Sequence, residues 1–401
     1  MQLVEQHLIK RTDPRYAVID AASFASKNLY NAALYEVRQA FIHQGIYLTY
    51  GKMDALMQQH EAYKALPAKV AQQVLRLLDK NWQGFFAAIK AWKANPSAFQ
   101  GRPKLPKYKD KVKGRNVLIY TAQAISRTAL RKGVIAPSQL GIEIISIQPE
   151  VNQVRIVPRN GQYVIEVIYE QEPEQEAVNP DLYASIDLGI NNLATLTSNK
   201  SGFVPRIVNG RPVKSMNQFY NKERARLQSV LVKMDSKRHT SHRLDRLTNK
   251  RTRKIDHYLH TASMRIIDVL VSEGIGSLVI GYNPEWKQAV NLGSRTNQHF
   301  VSIPFARFIH MLSYKAELAG IRVKISEESY TSKCSFLDNE IIGKHEQYAG
   351  KRIKRGLFRS ASGKCFNADV NGSYNILRKV APDAFEQGSR GCVVHPTSLA
   401  V

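Results

Sequence analysis

Apolar residues recur at helical spacing through residues 19–95: Leu29, Ala33, Val37 and Phe41, then Val70, Val74, Leu77 and Leu78. The spacing predicts helices there. Trp82, Phe85, Phe86 and Trp92 read as helix core before they read as rings for stacking bases. From 116 to 180 the period changes to two. Ile145 and Ile147, Val154 and Ile156, and Tyr163, Ile165, Val167 and Tyr169 alternate with polar positions, which predicts a β-rich module closed by the acidic run EQEPEQE at 170–176. Residues 183–210, YASIDLGINNLATLTSNKSGFVPRIVNG, read as strand, tight turn at Gly189–Asn192, strand, turn at Asn199–Gly202, strand. A long helical stretch follows. Then come the apolar strand SLVIG (277–281), a polar loop, a helix at about 304–319, the strand IRVKI (321–325), a poorly periodic insert (334–366) and a helix from near Asn367. Residues 381–401 carry no amphipathic pattern and are expected to be disordered.

A chain of 401 residues is too long for one ordinary core, so two or three domains are expected. Lys and Arg number 58 against 33 Asp and Glu, a formal charge of +25. Such an excess repels itself and calls for a polyanion, nucleic acid first. A membrane is not expected as partner, because no apolar run approaches 18 residues and the start MQLVEQHLIKR is mixed and charged. Cys334, Cys365 and Cys392 form no CxxC pair, so neither a disulfide framework nor a zinc ribbon is supported. An intracellular nucleic-acid-binding protein is the expectation.

Two basic stretches stand out. FQGRPKLPKYKDKVKGR (99–115) holds seven basic residues, one acid and two prolines, so it is no core helix. It is either a solvated linker or a strap in which Arg102, Lys104, Lys107, Lys109, Lys111, Lys113 and Arg115 neutralise phosphates while Tyr108 stacks; the cationic density favours the strap. Lys222 to Lys254 carries twelve Lys/Arg and three acids, too one-sided for a merely solvated helix face.

The candidate chemistry is carboxylate. Asp187 lies in an otherwise Ile/Leu strand, where a charge is costly unless paired or bound to metal, although a turn aspartate would fit too. Asp369, in NADVNGSYNIL (367–377), stands where a helix N-cap would also want Asp. Glu327 and Glu328, in ISEESYTSK (325–333), are adjacent like charges at a strand end.

The element order is that of an RNase H-like fold. The succession SIDLGINNLATL, SLVIGYN, PFARFIHMLSYKAELAGI, ESYTSK and NADVNGSYNIL resembles the RuvC-like nuclease domain of the TnpB (OrfB) family, RNA-guided proteins of insertion sequences related to compact type V CRISPR effectors. The resemblance covers about 183–380 and extends through VAQQVLRLLDKNWQGFF and GRPKLPKYKDK to the family's guide-binding region. It implies an α+β multidomain chain: a helical recognition lobe (19–96) inserted in a wedge-like β-barrel (1–18 and 97–180), then an RNase H-like (RuvC) α/β domain (181–333 and 367–380) with the small basic insert 334–366. It further implies guide RNA and double-stranded target DNA as partners, two Mg²⁺ ions on three carboxylates, and a prokaryotic, nucleoid-associated setting in the cytoplasm.

The chain departs from the family pattern twice. Gly281 stands where the family's second acid, a Glu, usually ends the strand. The insert has only Cys334 and Cys365 where four zinc-binding cysteines are usual, so no zinc is expected; Lys351, Arg352, Lys354, Arg355 and Arg359 make it basic instead. If strand 321–325 lies beside 277–281, one of Glu327 and Glu328 can reach the space left by Gly281. The missing acid would then be relocated, with Glu285 a weaker substitute. An RNA-guided endonuclease is the leading reading. A nuclease-inactive RNA-guided DNA-binding repressor and a strand-transfer transposase are the alternatives.

Overall fold

The long helix α1 (Tyr16–Gln44) follows strand β1 (Gln2–Ile9) and buries Ile19, Leu29, Ala33, Leu34 and Val37. It stops at Gly45, whose φ of 68° is a left-handed cap that a side chain would disfavour. Two short helices, α2 (Tyr50–Met57) and α3 (Glu61–Lys64), lead to α4 (Ala68–Ala94), which buries Val70, Val74, Leu75, Leu78 and Trp82. Trp82 is wholly enclosed by the rings of Phe41, Tyr47, Phe85 and Phe86, so it serves the core.

Strand β2 (Leu118–Thr121), helix α5 (Arg127–Leu130), the pair β3 (Val134–Ile135) and β4 (Ile144–Ile145), and strands β5 (Gln153–Arg159) and β6 (Gln162–Glu170) complete this part. The antiparallel sheet runs β1-β6-β5-β2 and its two ends do not pair, so the expected barrel is not closed among the described residues. Ile145 and Ile147, read above as one face of a strand, are both exposed; Ile142 and Ile144 point inward instead. The computed structural model describes residues 1–401 except 175, 237–238, 284–293 and 386–391. Within it the chain divides into two units, Met1–Gln171 and Glu172–Val401.

The second unit begins with a meander, β7 (Asn179–Leu188), β8 (Asn192–Ser198) and β9 (Arg206–Asn209), followed by helices α6 (Arg211–Met234) and α7 (His242–Ser272). Strand β10 (Ile275–Gly281), helices α8 (Ser294–Ser302) and α9 (Phe305–Leu318) and strand β11 (Arg322–Ser326) come next. The insert folds as β12 (Lys351–Lys354), β13 (Leu357–Arg359) and β14 (Cys365–Asn367) before helix α10 (Ala368–Val380) and strand β15 (Thr397–Leu399).

The main sheet has the order β11-β10-β7-β8-β9-β15. Strands β7 to β9 are antiparallel, while β10 runs parallel to β7 and β11 parallel to β10. Its first five strands have the arrangement an RNase H-like reading expects. Successive side chains of a strand point to opposite faces, and β7 uses both. Ala184, Ile186 and Leu188 join the core with α7 and α9, whereas Ser185 and Asp187 turn to α10.

The tail departs from the expectation of disorder. Phe385 and Val394 are buried with α10, and β15 adds a parallel edge to β9. A paired stretch of three residues is too short to show any period in sequence. The insert is held by packing: Phe358 and Phe366 are buried, and Phe336 stacks on Tyr374 of α10 with ring centroids 4.4 Å apart.

Candidate active site

Three carboxylates gather where the carboxyl end of β7, the end of β11 and the start of α10 meet. Asp187 stands opposite Thr195 of β8, one residue before the end of its strand. Its carboxylate lies against the backbone of α10: a Cβ on Gly372 would come within 2.8 Å of Asp187 Oδ2. That glycine is what admits the group. Burial pushes the Asp187 carboxyl well above the usual carboxylate range, and the negative charges of Glu328 and Asp369 push in the same direction.

Asp369 does not cap its helix. Asn367 does, its side-chain oxygen accepting from the amides of Asp369 (2.9 Å) and Val370 (3.1 Å). The Asp369 carboxylate is therefore left for other work. It accepts from Asn192 Nδ2 at 2.7 Å and from the Arg352 guanidinium at 3.2 Å.

The two adjacent glutamates have parted. Glu327 is exposed, pairs with Lys379 at 2.5 Å and accepts from the amide of Ser329 at 2.7 Å; the Lys379 bond first, then Ser329, hold its carboxyl low. Glu328 turns inward. Gly281 pairs with Ser326 in the parallel β10–β11 ladder, and the backbone amide of Glu328 donates to Asn283 Oδ1 at 3.2 Å. A Cβ on Gly281 would lie 2.8 Å from Glu328 Oε2. That oxygen is buried and has no hydrogen-bond partner among the described residues. Burial first, then Glu327, pushes the Glu328 carboxyl up to about 7. Glu285 lies outside the described residues.

A polar set on α10 holds this arrangement. Asn371 donates to Cys334 O and accepts from the amide of Phe336, and Asn375 donates to the carbonyls of Thr331 and Cys334. These bonds fix the turn that follows Glu328. On the sheet side, Ser373 donates to Ser185 O and Thr195 O and lies 2.9 Å from the Thr197 hydroxyl. Asn192, Asn283, Asn371, Gly372 and Asn375 went unread in the sequence. The i, i+4 asparagines Asn371 and Asn375 on the buried face of α10 were the signal available for two of them.

The buried, unpartnered Glu328 oxygen and the carboxylates of Asp187 and Asp369 are hard oxygen donors, the type that Mg²⁺ takes. Among the described residues, however, no three His, Cys, Asp or Glu side chains stand close enough to share one ion.

The basic residues divide. Arg102, Lys104, Lys107, Tyr108, Lys111 and Lys113 are exposed. Lys109 is half-buried with its ammonium over the Tyr30 ring, and Arg115 is bound to Asp20 at 2.7 Å. Neither of these two is offered to solvent as the strap reading expected. The strap backbone lies along α1, whose Lys27 donates to Lys111 O at 2.8 Å, Asn31 to Lys109 O at 2.9 Å and Ser26 to Val117 O at 3.0 Å. In the insert Lys351, Arg352, Lys354 and Arg355 are exposed, Arg352 reaching Asp369 as described. Among the described residues no helix is long and apolar enough to cross a membrane.

Comparison with known proteins gives consistent relatives. Residues 166–287 match a family model described as a probable transposase, OrfB_IS605, and residues 305–376 match the Cas12f1-like TNB domain. A TnpB-like protein, ORF457 of Acidianus two-tailed virus, is 24% identical over 88% of this chain and 81% of its own. A solved Cas12f1–sgRNA–target DNA complex has a chain with TM-score 0.55 and 15% identity, aligned over 90% of this chain and 82% of that one, which is a likeness of fold.

Proposed function

We propose that this chain, which belongs to the TnpB (OrfB) family, is an RNA-guided DNA endonuclease of transposon origin. Its partners are a guide RNA and a double-stranded DNA target; the Cas12f1 chain it resembles in fold was solved with sgRNA and target DNA. The guide- and DNA-binding parts are a wedge-like module from 1–18 and 97–180 around a recognition lobe at 19–96, which lie in the first unit up to Gln171. Residues 181–333 and 367–380 form the nuclease domain, and 334–366 the insert.

The observation that carries the reading is the inward Glu328. Its Oε2 is buried and without a partner beside Gly281, and its charge is felt at Asp187. Asp187, Glu328 and Asp369 are the residues that would hold Mg²⁺. Bound there, the ions would activate water and stabilise the leaving oxygen in phosphodiester hydrolysis. The chain's own groups prepare the site. Asn192 aims the Asp369 carboxylate, Gly372 admits Asp187 against α10, and Asn283 with the α10 asparagines sets the turn that delivers Glu328. Arg352, already at Asp369, is placed to meet a phosphate at the same edge. Glu327, paired with Lys379, stands outside this set.

The test is to purify the protein with co-expressed RNA, sequence that RNA, and add a matching DNA duplex with Mg²⁺. Cleavage that stops on Asp187→Ala supports the endonuclease. Tight target binding without cleavage would make Gly281 the mark of a lost site and favour the repressor.

A further inference from the structure

Helix α7 is longer than the sheet it covers. It turns at Gly274 straight into β10 and so runs antiparallel to it. Seven residues of β10 span about 23 Å, which about 15 helical residues match. Counting back from Ser272, the helix reaches the carboxyl edge of the sheet near residue 258. A hydrogen bond marks the same level: the Tyr258 hydroxyl donates to Asn209 O at the end of β9. Asn209 pairs with Asn192, and Asn192 holds Asp369. The half of α7 before Tyr258 thus projects beyond the edge that carries the carboxylates, braced by Leu227 and Leu231 of α6 against Leu244.

The outer face of that half is basic. Arg243, Arg246, Lys250, Arg253 and Lys254 are exposed and fall on one side of the helix. Among the described residues none of the five forms an ion pair. Toward the sheet the character changes: Asp256, just before Tyr258, takes Arg307, and Asp268 takes Arg265. Among the described residues, the exposed unpaired cations of α7 all precede Tyr258. From Arg243 through Arg246 and Lys250 to Arg253 the rise along the axis is about 4.5–6 Å per step, close to the separation of successive phosphates on a single strand, and Lys254 adds a second charge at the last level.

We propose that this stripe is a rail for the sugar-phosphate backbone of the DNA strand that enters the carboxylate site. The inference rests on the nuclease reading above. A strand being cut must cross the edge where Asp187, Glu328 and Asp369 stand, and the rail begins at that edge. Guide RNA held on this face is the competing occupant.

The test uses the full-length, RNA-loaded protein with a photo-cross-linking amino acid at Lys250 and a matching duplex whose strands carry different labels. The expected product joins the protein to a DNA strand that is cut. Cross-linking to RNA alone, or to no nucleic acid, overturns the rail. In parallel, Arg243→Gln, Arg246→Gln, Lys250→Gln and Arg253→Gln are combined. RNA content should not change. Cleavage near 200 mM salt should fall about tenfold or more, and the salt dependence should flatten by roughly 0.7 for each phosphate no longer neutralised. An unchanged rate and slope overturns the rail while the endonuclease stands. If wild-type protein neither binds nor cuts matching DNA, the endonuclease reading fails and the rail fails with it. If the combined variant does not fold, the cross-link decides alone.

Discussion

Glu328 fills the space that a side chain on Gly281 would take: a Cβ there would lie 2.8 Å from Glu328 Oε2, and 2.5 Å from Ile376 Cδ1. The two glutamates should therefore behave differently. Glu328→Ala should abolish cleavage and leave guided DNA binding nearly intact, since target affinity comes from base pairing and from the protein's grip on the phosphates. Glu327→Ala should cut at close to the wild-type rate. Glu328→Gln should be nearly as damaging as Ala, because a neutral amide is a poor Mg²⁺ ligand. Single-turnover cleavage beside a binding assay in Ca²⁺ checks this. Full activity in Glu328→Ala would return the role to Glu285 or to no glutamate.

Acidity should stabilise the metal-free protein at this site. The Glu328 carboxyl rises from an ordinary value of 4.5 to about 7 on folding, because burial and then Glu327 disfavour its charge. The folded state thus holds the proton more tightly than the unfolded chain. The resulting stabilisation is complete below about pH 4.5 and is lost as pH rises through about 7. In EDTA, Glu328→Gln should melt above wild type at pH 8, with the gain shrinking toward pH 4.5. Parallel melting curves across that range would remove burial of the charge as the cause.

The strap should separate into two classes of lysine and arginine. Replacing the exposed Lys104, Lys107, Lys111 and Lys113 with Gln should weaken RNA retention and flatten its salt slope, with little change in melting temperature. Arg115→Gln should instead lower stability by about 1–3 kcal/mol, since Asp20 loses a two-pronged partner at 2.7 and 2.9 Å. Salt-dependent RNA binding and chemical denaturation, measured on both variants, tell the classes apart.

Elemental analysis should find no structural zinc. Tetrahedral zinc needs four N or S ligands. Cys334 is buried against Gly343 O, Cys365 is exposed, and the His345 ring lies 2.7 Å from Ile341 O. One zinc per chain would overturn this.

The meander around Asp187, the strand pair 277–281 and 321–325 and the start of α10 were readable because each carries its own period or turn. The choice between Glu327 and Glu328 was not. Strand β11 ends at Ser326, so alternation stops just before the pair. Their directions are set by distant partners, Asn283 for one and Lys379 for the other, and by a turn with Tyr330 at φ 67°. The division of the strap was hidden for a similar reason. Nothing near Lys109 or Arg115 in sequence announces Tyr30 or Asp20. Helix α8 escaped because it is short, mostly polar apart from Phe300 and Val301, and lies in what reads as a loop.

The polar side chains of α1 give the strap a property that its composition alone would not. A free basic segment must lose its conformational freedom when it meets a polyanion, at about 1–2 kcal/mol per residue for the backbone. Here Lys27 and Asn31 already grip the carbonyls of Lys111 and Lys109, and Ser26 that of Val117 just beyond. The ordering took place when the protein folded. RNA arriving at Lys104 to Lys113 would meet a segment whose backbone is already anchored at Lys109 and Lys111, so its binding should release salt without the heat-capacity signature of a segment that folds on contact.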